Sequence, residues 1–561
     1  MTSWALLLLL FTAVYANIPK HKTDDQIAVY VNKVGPSGNP HETYHYYELP
    51  FCRPENIVHK SLTLGQVMEG DRMAESSFVI KFGQNTSKTT LCGRRNVTRT
   101  EIRHLVSAIE RDYFFELFLV GQKGDRCYQR ESVVTDDKIP DDIKILEVEV
   151  LVGDRQEINQ KSEHFQLDLQ YTVVWNTTDQ PDSDRRIVLK NRFPKKASQV
   201  HGLSIAASGL TIILILACIL GFINNALNRD IATGTSSEDL FSETGWKVIR
   251  SEVFRGPSWL MLHCAAIGVG CQFCIIFVAL VVLGLSGILD VHYHGTLNCV
   301  SVVMFSLTSG IAGFVSAAKY AELGGRRWVA HANMTSTLFA GPMMIIWALN
   351  NTVFWSYQTT RALPWTTVIV LLSIWIVFGY PLTIIGGIIG RHFGVSYNAP
   401  CRSRIIPREI PSYGLSSPFF DCFLGGAIPF TSIIVEMPYA FQILWGRAHL
   451  EVDFLVLLAV LVLIVSVVCN SVALTYVQLN NEDYRWWWRS FFQGASIGVF
   501  IFAYGIYFYV YVSNMSGFVQ LFEFFSHLLL LSFIVSLACG SVAHIASRSF
   551  VWYMYNSLKS D

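Results

Sequence analysis

Charged residues are scarce in this sequence. Only 15% of its 561 residues are Asp, Glu, Lys or Arg, and 43 basic residues balance 43 acidic ones. In soluble proteins about a quarter of all residues are charged. Nucleic-acid-binding domains contain more basic than acidic residues. The composition therefore argues against a wholly soluble protein and predicts no nucleic-acid partner.

Catalytic fingerprints are also missing from the polar N-terminal part of the chain. Residues 17–200 contain no GxSxG, HExxH or P-loop sequence and no GxGxxG in a βαβ setting. We therefore expect no enzymatic activity, no catalytic residue and no cofactor. The stretch HETYHYYELP (residues 41–50) and the pair His292 and His294 leave metal binding as a minor alternative.

Long apolar runs divide the chain into three parts. Residues 1–16 have an apolar core too short to span a bilayer and end in a small-residue cleavage pattern, with cutting expected after Ala16. Residues 17–200 are polar, and residues 201–561 are mostly uncharged. These shifts predict a signal peptide at 1–16, a lumenal domain at 17–200 and a membrane domain at 201–561.

Nine runs in the membrane domain are long enough to span a bilayer. One set of predicted loops carries fifteen Lys and Arg residues, and the short loops on the other side carry only Arg361 and Arg447. The positive-inside rule then places the N-terminal domain in the lumen and the C-terminus in the cytosol. The predicted spans are 203–225, 260–289, 297–318, 333–354, 364–390, 417–445, 454–477, 491–512 and 518–546.

The lumenal domain is predicted to be mostly β. Period-two alternation indicates strands, and a helix is expected to begin near Arg99 with Thr100 as a possible N-cap. The fold class expected for the whole chain is this domain followed by an all-α bundle of nine transmembrane helices. The predicted strands are 27–34, 45–51, 77–82, 145–152 and 165–175.

Sequons and cysteines fit a lumenal location of this domain. Glycosylation is expected at Asn85, Asn96 and Asn176, each of which begins an Asn-x-Ser/Thr triplet. An oxidising lumen permits one disulfide among three cysteines, and Cys52–Cys92 is the pairing that we predict, with Cys127 left over.

Three ionisable residues lie at bilayer depth in the predicted spans. Glu436 lies between Pro429 and Pro438, and His527 follows Glu523 by one helical turn. Such residues are costly in a membrane and mark functional candidates. They would form a proton, ion or substrate path, or they would only satisfy one another between packed helices.

Glycine is concentrated in the spans. Gly386 and Gly390 form a GxxxG pattern with Gly387 inside it. Small residues let helices approach closely. The pattern predicts either internal helix packing or a face that accepts a helix of another membrane protein.

The stretch NEDYRWWWRS (residues 481–490) lies in a predicted cytosolic turn. Tryptophan is favoured at the headgroup level, where Arg side chains reach lipid phosphates. The pattern predicts that Trp486, Trp487 and Trp488 form an interfacial anchor, with Arg485 and Arg489 on lipid phosphates. A ligand-binding box is the alternative.

Many further stretches resemble the nonaspanins, the transmembrane 9 superfamily, and they extend over nearly the whole chain. A signal peptide, a lumenal domain and nine spans are the organisation that this resemblance implies. The stretches include VYVNKVGPSGNPHETYHYYELPFC, SLTLGQVMEGDRMAES, HGTLN, GGRRW, FGYPLTIIGGIIGR, GGAIPFTSIIVE, LTYVQLNNEDYRWWWRSF, SNMSG and YMYNSLKSD. Residues 121–145 depart from the family pattern, being shorter and lacking a D-x-L-P-x-x-G-like segment, which puts the lumenal ligand surface in doubt.

The resemblance also implies a function. Family members are implicated in sorting and localising membrane proteins with glycine-rich spans, in Golgi and endosomes, and in autophagy-linked traffic. Their C-terminal KxD or KxE signal, read by the COPI coat, matches Lys559 and Asp561. The alternative, taken from the residues, is a proton- or ion-coupled transporter or channel that uses Glu436 or Glu523.

Overall fold

The computed structural model describes most of the chain. The described residues are 24–39, 41–93, 95–120, 165–167, 169–176, 245–286, 295–394, 408–410, 418–445 and 454–557, with ten helical positions between 209 and 228. The predicted strand 145–152, the departing segment 121–145, the signal peptide, Cys127 and the tail with Lys559 and Asp561 lie outside them.

A long central strand organises the N-terminal sheet region. Strand β1 (Gln26–Pro36) is buried along most of its length and pairs antiparallel with four other strands. Its longest partner is β7 (Tyr113–Val120), in register Val31↔Leu117, with an irregularity before Val34↔Phe115. The other three are β2 (Tyr44–His45), β3 (Ala74–Glu75) and β4 (Ile80–Lys81). The prediction of a strand over 27–34 is therefore confirmed.

The rest of the sheet region is less regular than predicted. Two further pairs join β5 (Thr86–Thr90) to β9 (Gln170–Val173) and β6 (Arg95–Val97) to β8 (Phe165–Leu167). The predicted strand 45–51 is wrong beyond His45, because a 3₁₀ turn (Tyr46–Glu48) follows, and the predicted strand 77–82 shrinks to β4. A short helix α1 (Leu64–Met68) lies between β2 and β3.

The predicted helix begins at Arg99 as expected, but its cap lies two positions before the predicted one. Helix α2 (Arg99–Glu110) has Thr98, and not Thr100, as its N-cap, and the Thr98 N–H donates to Glu101 Oε2 at 2.9 Å. This is the reciprocal half of a capping box. The segment after it forms β7, since its aromatic side chains pack against β1.

Long helices make up the rest of the described chain. Two of the loops between them, at Ala362 and at Ser516, contact the sheet region. The helices are α3 (Leu260–Leu285), α4 (Thr296–Glu322), α5 (Trp328–Ser356), α6 (Trp365–Ile374), α7 (Tyr380–Phe393), α8 (Pro418–Thr431), α9 (Met437–Trp445), α10 (Phe454–Asn480), α11 (Trp486–Tyr507) and α12 (Phe518–Ser557).

Seven membrane-spanning helices are found among the described residues, by length and composition. One of them joins α6 and α7 through a π-helical turn (Trp375–Gly379), and α11 ends in another (Phe508–Val512). The prediction of seven of the nine spans is confirmed. The first predicted span is described only at scattered helical positions, so the number nine stays a prediction.

The sixth predicted span is not one helix. Helix α8 ends at Thr431, the chain turns through residues 432–436, and α9 begins at Met437. Pro438 lacks the N–H that a continuous helix would need and is tolerated in the first turn of a new one. Ile433, inside the turn, and Met437, directly after it, are buried against α11 and α12.

Candidate functional site at the junction of the two regions

Two segments of the sheet region (β1 to β9) contact the helical region (α3 to α12). We call this interface the junction. In the first segment, Asn39 Nδ2 donates to the Ser516 carbonyl at 2.6 Å, and the Ser516 N–H donates back to Asn39 Oδ1 at 2.9 Å. The Thr360 N–H donates to the Thr43 carbonyl at 2.9 Å, and the two threonine hydroxyls lie 2.6 Å apart. Four hydrogen bonds therefore join residues more than 300 positions apart in sequence.

The second segment is the loop Glu69–Arg72. Arg72 donates to the Ala362 carbonyl at 2.6 Å, and Asn298 Nδ2 donates to Glu69 Oε2 at 2.6 Å. Gly70 has φ +81°, and a Cβ at this position would lie 2.9 Å from Arg361 Cγ. Glycine is required here because the backbone is left-handed and Arg361 occupies the space beside it.

A polar cluster on β1 holds this loop in place. Asn32 Nδ2 donates to Asp71 Oδ1 at 2.8 Å and to Glu116 Oε2 at 3.0 Å. Lys33 Nζ lies 3.2 Å from Asp71 Oδ1 and 3.8 Å from Glu116 Oε2. Asn32, Lys33 and Asp71 are buried, and buried charges are stable when paired and hydrogen-bonded.

The Lys33 ammonium group stays charged in this cluster. Burial alone would lower the pKa of Lys33, but the carboxylates of Glu116, Asp71 and Glu69 raise it above its ordinary value. The positive charge of Lys33 therefore offsets the negative charges of Glu69 and Asp71 in the loop and of Glu116 on β7.

A buried ion pair lies at the centre of the junction. Arg361, in the loop between α5 and α6, donates to Glu523 Oε1 on α12 at 2.6 Å. The Glu523 side chain is 2% exposed and that of Arg361 18% exposed. His527 Nδ1 donates to the Glu523 carbonyl at 2.8 Å, one turn along the same helix. The predicted pair Glu523 and His527 thus lies at the junction.

His41 completes the junction from the sheet region. Its Nδ1 lies 3.7 Å from Glu523 Oε1, beyond hydrogen-bond distance, and both ring nitrogens are buried although 19% of the side chain is exposed. Burial, followed by the charges of Arg361, His527 and Lys33, lowers the pKa of His41 well below its ordinary value. The ring is therefore neutral at pH 7.

Sequence reasoning missed His41 and Arg361 as partners of Glu523. His41 belongs to the stretch that suggested metal binding, but within the described residues no group of three or more His, Cys, Asp or Glu side chains could hold a metal ion. One signal was present: a lysine inside the apolar strand sequence AVYVNKV implies buried acidic partners, and those partners position the junction.

Other predicted residues lie elsewhere. Glu436 follows α8 in the interrupted sixth span, partly buried, with its N–H bonded to the Ile433 carbonyl at 3.0 Å. Cys52 and Cys92 form the predicted disulfide, with Cα atoms 5.7 Å apart. Asn85 is exposed and Asn176 partly exposed, whereas the side chain of Asn96 lies outside the described residues. Glycosylation stays a prediction.

The predicted glycine face is occupied by the chain itself. A Cβ at Gly386 would fall on the Gly310 carbonyl oxygen of α4, and one at Gly390 would fall on the Phe314 carbonyl oxygen. At Gly387 the nearest atoms, in Ala317 and Gly313, are 3.9 Å away. Gly386 and Gly390 thus serve close packing of α7 on α4.

The prediction of an interfacial anchor is wrong for Trp486 and Trp487, whereas Trp488 is partly exposed. Trp486 and Trp487 are buried, 0% and 5% exposed, in a cluster at the end of the helical region opposite the sheet region. Trp486 Nε1 donates to the Val253 carbonyl at 2.9 Å, and Trp488 Nε1 to the Ser258 carbonyl at 2.7 Å. We call this cluster the aromatic cap; its buried members are Trp246, Ile249, Val253, Phe254, Tyr476, Leu479, Trp486, Trp487, Val551, Met554 and Tyr555.

The arginines beside the triplet are bound by carboxylates. Arg489, 12% exposed, lies 2.9 Å from Asp483 Oδ2 and 3.4 Å from Asp421 Oδ2. Arg485, 62% exposed, lies 3.4 Å from Asp483 Oδ1. The prediction that Arg489 binds lipid phosphate is therefore wrong, because two acidic side chains occupy its guanidinium group.

Comparisons with known protein sequences give a family model and several full-length relatives. The family model described as "Endomembrane protein 70" matches residues 43–121 and 127–518. The chain is 38% identical over 598 residues to transmembrane 9 superfamily member 1 of Bos taurus, covering 100% of this chain and 98% of that protein. It is 38% identical to member 1 of Mus musculus, with 97% of this chain and 95% of that protein covered. It is 32% identical to member 4 of Arabidopsis thaliana, with 100% of both chains covered.

These relatives are named as superfamily members and not as enzymes. No solved structure matches the chain. The model match covers most of the chain, and the relatives cover it from end to end. The chain therefore belongs to the endomembrane protein 70 family, the transmembrane 9 superfamily, as its sequence resemblance predicted.

Proposed function

We propose that this multi-pass membrane protein sorts and localises other membrane proteins in Golgi and endosomes. The family name refers to endomembranes, and the sorting role follows from the resemblance. In this proposal the helical region binds transmembrane helices of client proteins, and the C-terminal tail is bound by the COPI coat.

One glycine supports a client-binding face, although it is not among the three glycines singled out from the sequence. Gly341 lies on α5, and among the described residues no neighbouring side chain or other segment has a heavy atom within 4 Å of the position that its Cβ would take. Thr337 and Ile345, one turn away on either side, are exposed, Ile345 by 64%. A small residue on an outward face lets another transmembrane helix approach closely, and this open site is the observation that carries the proposal.

The test uses a single-span reporter protein whose transmembrane segment contains GxxxG. The full chain is expressed with the reporter, and we measure co-purification and the fraction of reporter at the cell surface. Gly341→Leu should reduce both the association and the localisation effect. Val499→Phe, which adds bulk at a position of α11 that is 68% exposed, is the matched control and should leave both unchanged. Equal association in the two variants would contradict the proposal.

Retention by the coat has its own test. Helix α12 ends at Ser557, and Lys559 and Asp561 follow it in the sequence. Full-length protein tagged in the sheet region should be held in the Golgi, and Lys559→Ser should escape to later compartments. Identical distributions of the two proteins would contradict the retention signal.

The interrupted sixth span favours a second candidate, a proton- or ion-coupled transporter. Discontinuous helices form many transporter sites, and Glu436 is the last residue of the turn between α8 and α9. Glu436→Gln should abolish ion flux into liposomes containing the purified protein while client association persists. Unchanged flux, or no flux in the wild type, would remove this candidate.

A further inference from the structure

The junction brings an uncharged histidine against a set of charges that oppose its protonation. His41 comes from the sheet region, whereas Glu523, His527 and Arg361 come from α12 and the loop before α6. Glu523 Oε1 already accepts a bond of 2.6 Å from Arg361. The positive charge of Arg361 therefore offsets much of the negative charge of Glu523 that a protonated His41 would face at 3.7 Å.

The groups that shift the pKa of His41 come from four segments of the chain. Arg361, His527 and Lys33 disfavour a second positive charge on the imidazole, and the backbone of Leu444, at the end of α9, favours it. The ring nitrogens are buried, so a proton would have to enter a site with little water. A buried charge without a full partner is strongly unfavourable.

We propose that His41 is a proton-sensitive latch that keeps the sheet region docked on the helical region at neutral pH and loosens it in acid. When the two regions separate, the imidazole gains water and accepts a proton. The polar cluster around Lys33 belongs to the sheet region and moves with it, so acid would open the junction and leave β1 and β7 paired. The device does not depend on the sorting function proposed above.

The direction follows from linkage. The pKa of His41 is lower in the docked state than the ordinary value of about 6.5. Docking is therefore at full strength above that value and weakens as pH falls below it, down to the docked pKa. A single histidine changes the docking equilibrium by at most about tenfold between pH 7.5 and pH 5.5.

Two backbone amides report docking directly. The Thr360 N–H binds the Thr43 carbonyl, and the Ser516 N–H binds Asn39 Oδ1, each across the junction at 2.9 Å. Hydrogen exchange of the full chain in lipid nanodiscs is measured at pH 7.5 and 5.5, as protection factors that remove the intrinsic pH effect. The protection of both amides should fall about tenfold at pH 5.5, and the β1–β7 ladder should keep its protection.

Matched variants make the test specific. His41→Gln keeps a neutral polar side chain, and its junction amides should be equally protected at the two pH values. His104→Gln, at an exposed position of α2, should behave like the wild type. His41→Asn replaces the first variant if protection of the β1–β7 ladder shows that it has not folded.

Three results would overturn the latch. The wild type could show no loss of junction protection at pH 5.5. The loss could persist unchanged in His41→Gln, which would assign it to another group. The β1–β7 ladder could lose protection together with the junction, which would mean unfolding of the sheet region and not undocking.

Discussion

The two ends of the helical region are closed by different chemistry. At the junction, an ion pair between Arg361 and Glu523 and several hydrogen bonds hold separate chain segments together. At the aromatic cap, Trp486, Trp246 and Tyr555 pack in a buried cluster, with the Tyr555 hydroxyl donating to the Trp246 carbonyl at 2.6 Å. One end is held mainly by polar contacts and the other mainly by apolar burial.

This difference predicts which end can be released. Burial of aromatic side chains depends little on pH, because it removes apolar surface from water. A buried ion pair contributes little net stability, but the loss of one partner leaves an uncompensated charge. We therefore expect the cap to maintain the helical region while the junction responds to changes in charge.

The largest effect is expected at the cap. Trp486→Ala removes a fully buried indole and its bond to Val253, and should lower the free energy of unfolding by about 3–5 kcal/mol. Equilibrium denaturation in mixed micelles, followed by circular dichroism, measures this change. Trp259→Ala, at a position 79% exposed, is the control and should cost less than about 0.5 kcal/mol. Equal costs would mean that the cap does not stabilise the protein.

The next effect distinguishes the junction from the cap. Arg361→Ala leaves the Glu523 carboxylate buried without its cation, which should weaken docking by about 2–3 kcal/mol, less than for a fully buried pair because Arg361 is partly exposed. Exchange of the Ser516 amide measures docking. Adding Glu523→Gln to this variant should restore most of the protection, since no buried charge is then left alone. A loss of protection in the cap amides would contradict the independence of the two ends.

The smallest effect tests how closely the loop approaches Arg361. Gly70→Ala places a Cβ in a left-handed backbone beside Arg361 Cγ, and should weaken docking by about 1–2 kcal/mol. Gly93→Ala is the control and should have almost no effect, because no other described part of the chain lies within 4 Å of the added Cβ. Equal protection of the Thr360 amide in the two variants would show that the loop shifts without cost.

Parts of this fold follow from local sequence. The strand over 27–34 and seven spans were predicted because alternation and long apolar runs are local patterns. The predicted cap Thr100 lies inside α2, whereas Thr98 precedes the helix and has Glu101 three residues after it, which is the spacing of a capping box. Half of the candidate site, Glu523 and His527, was predicted from the cost of ionisable groups in a membrane.

The sequence by itself determined seven segments that form helices long and apolar enough to span a membrane, since a spanning helix must be apolar and must satisfy its backbone hydrogen bonds internally. Only the tertiary structure decided what those segments contact. Arg361 meets Glu523 across 162 residues, and Asn39 meets Ser516 across 477. Hydropathy sums neighbouring residues and carries no information on such pairs. The general preference of tryptophan for the headgroup level placed Trp486 at a lipid surface, whereas packing against Trp487, Val253 and their neighbours buries it inside the protein.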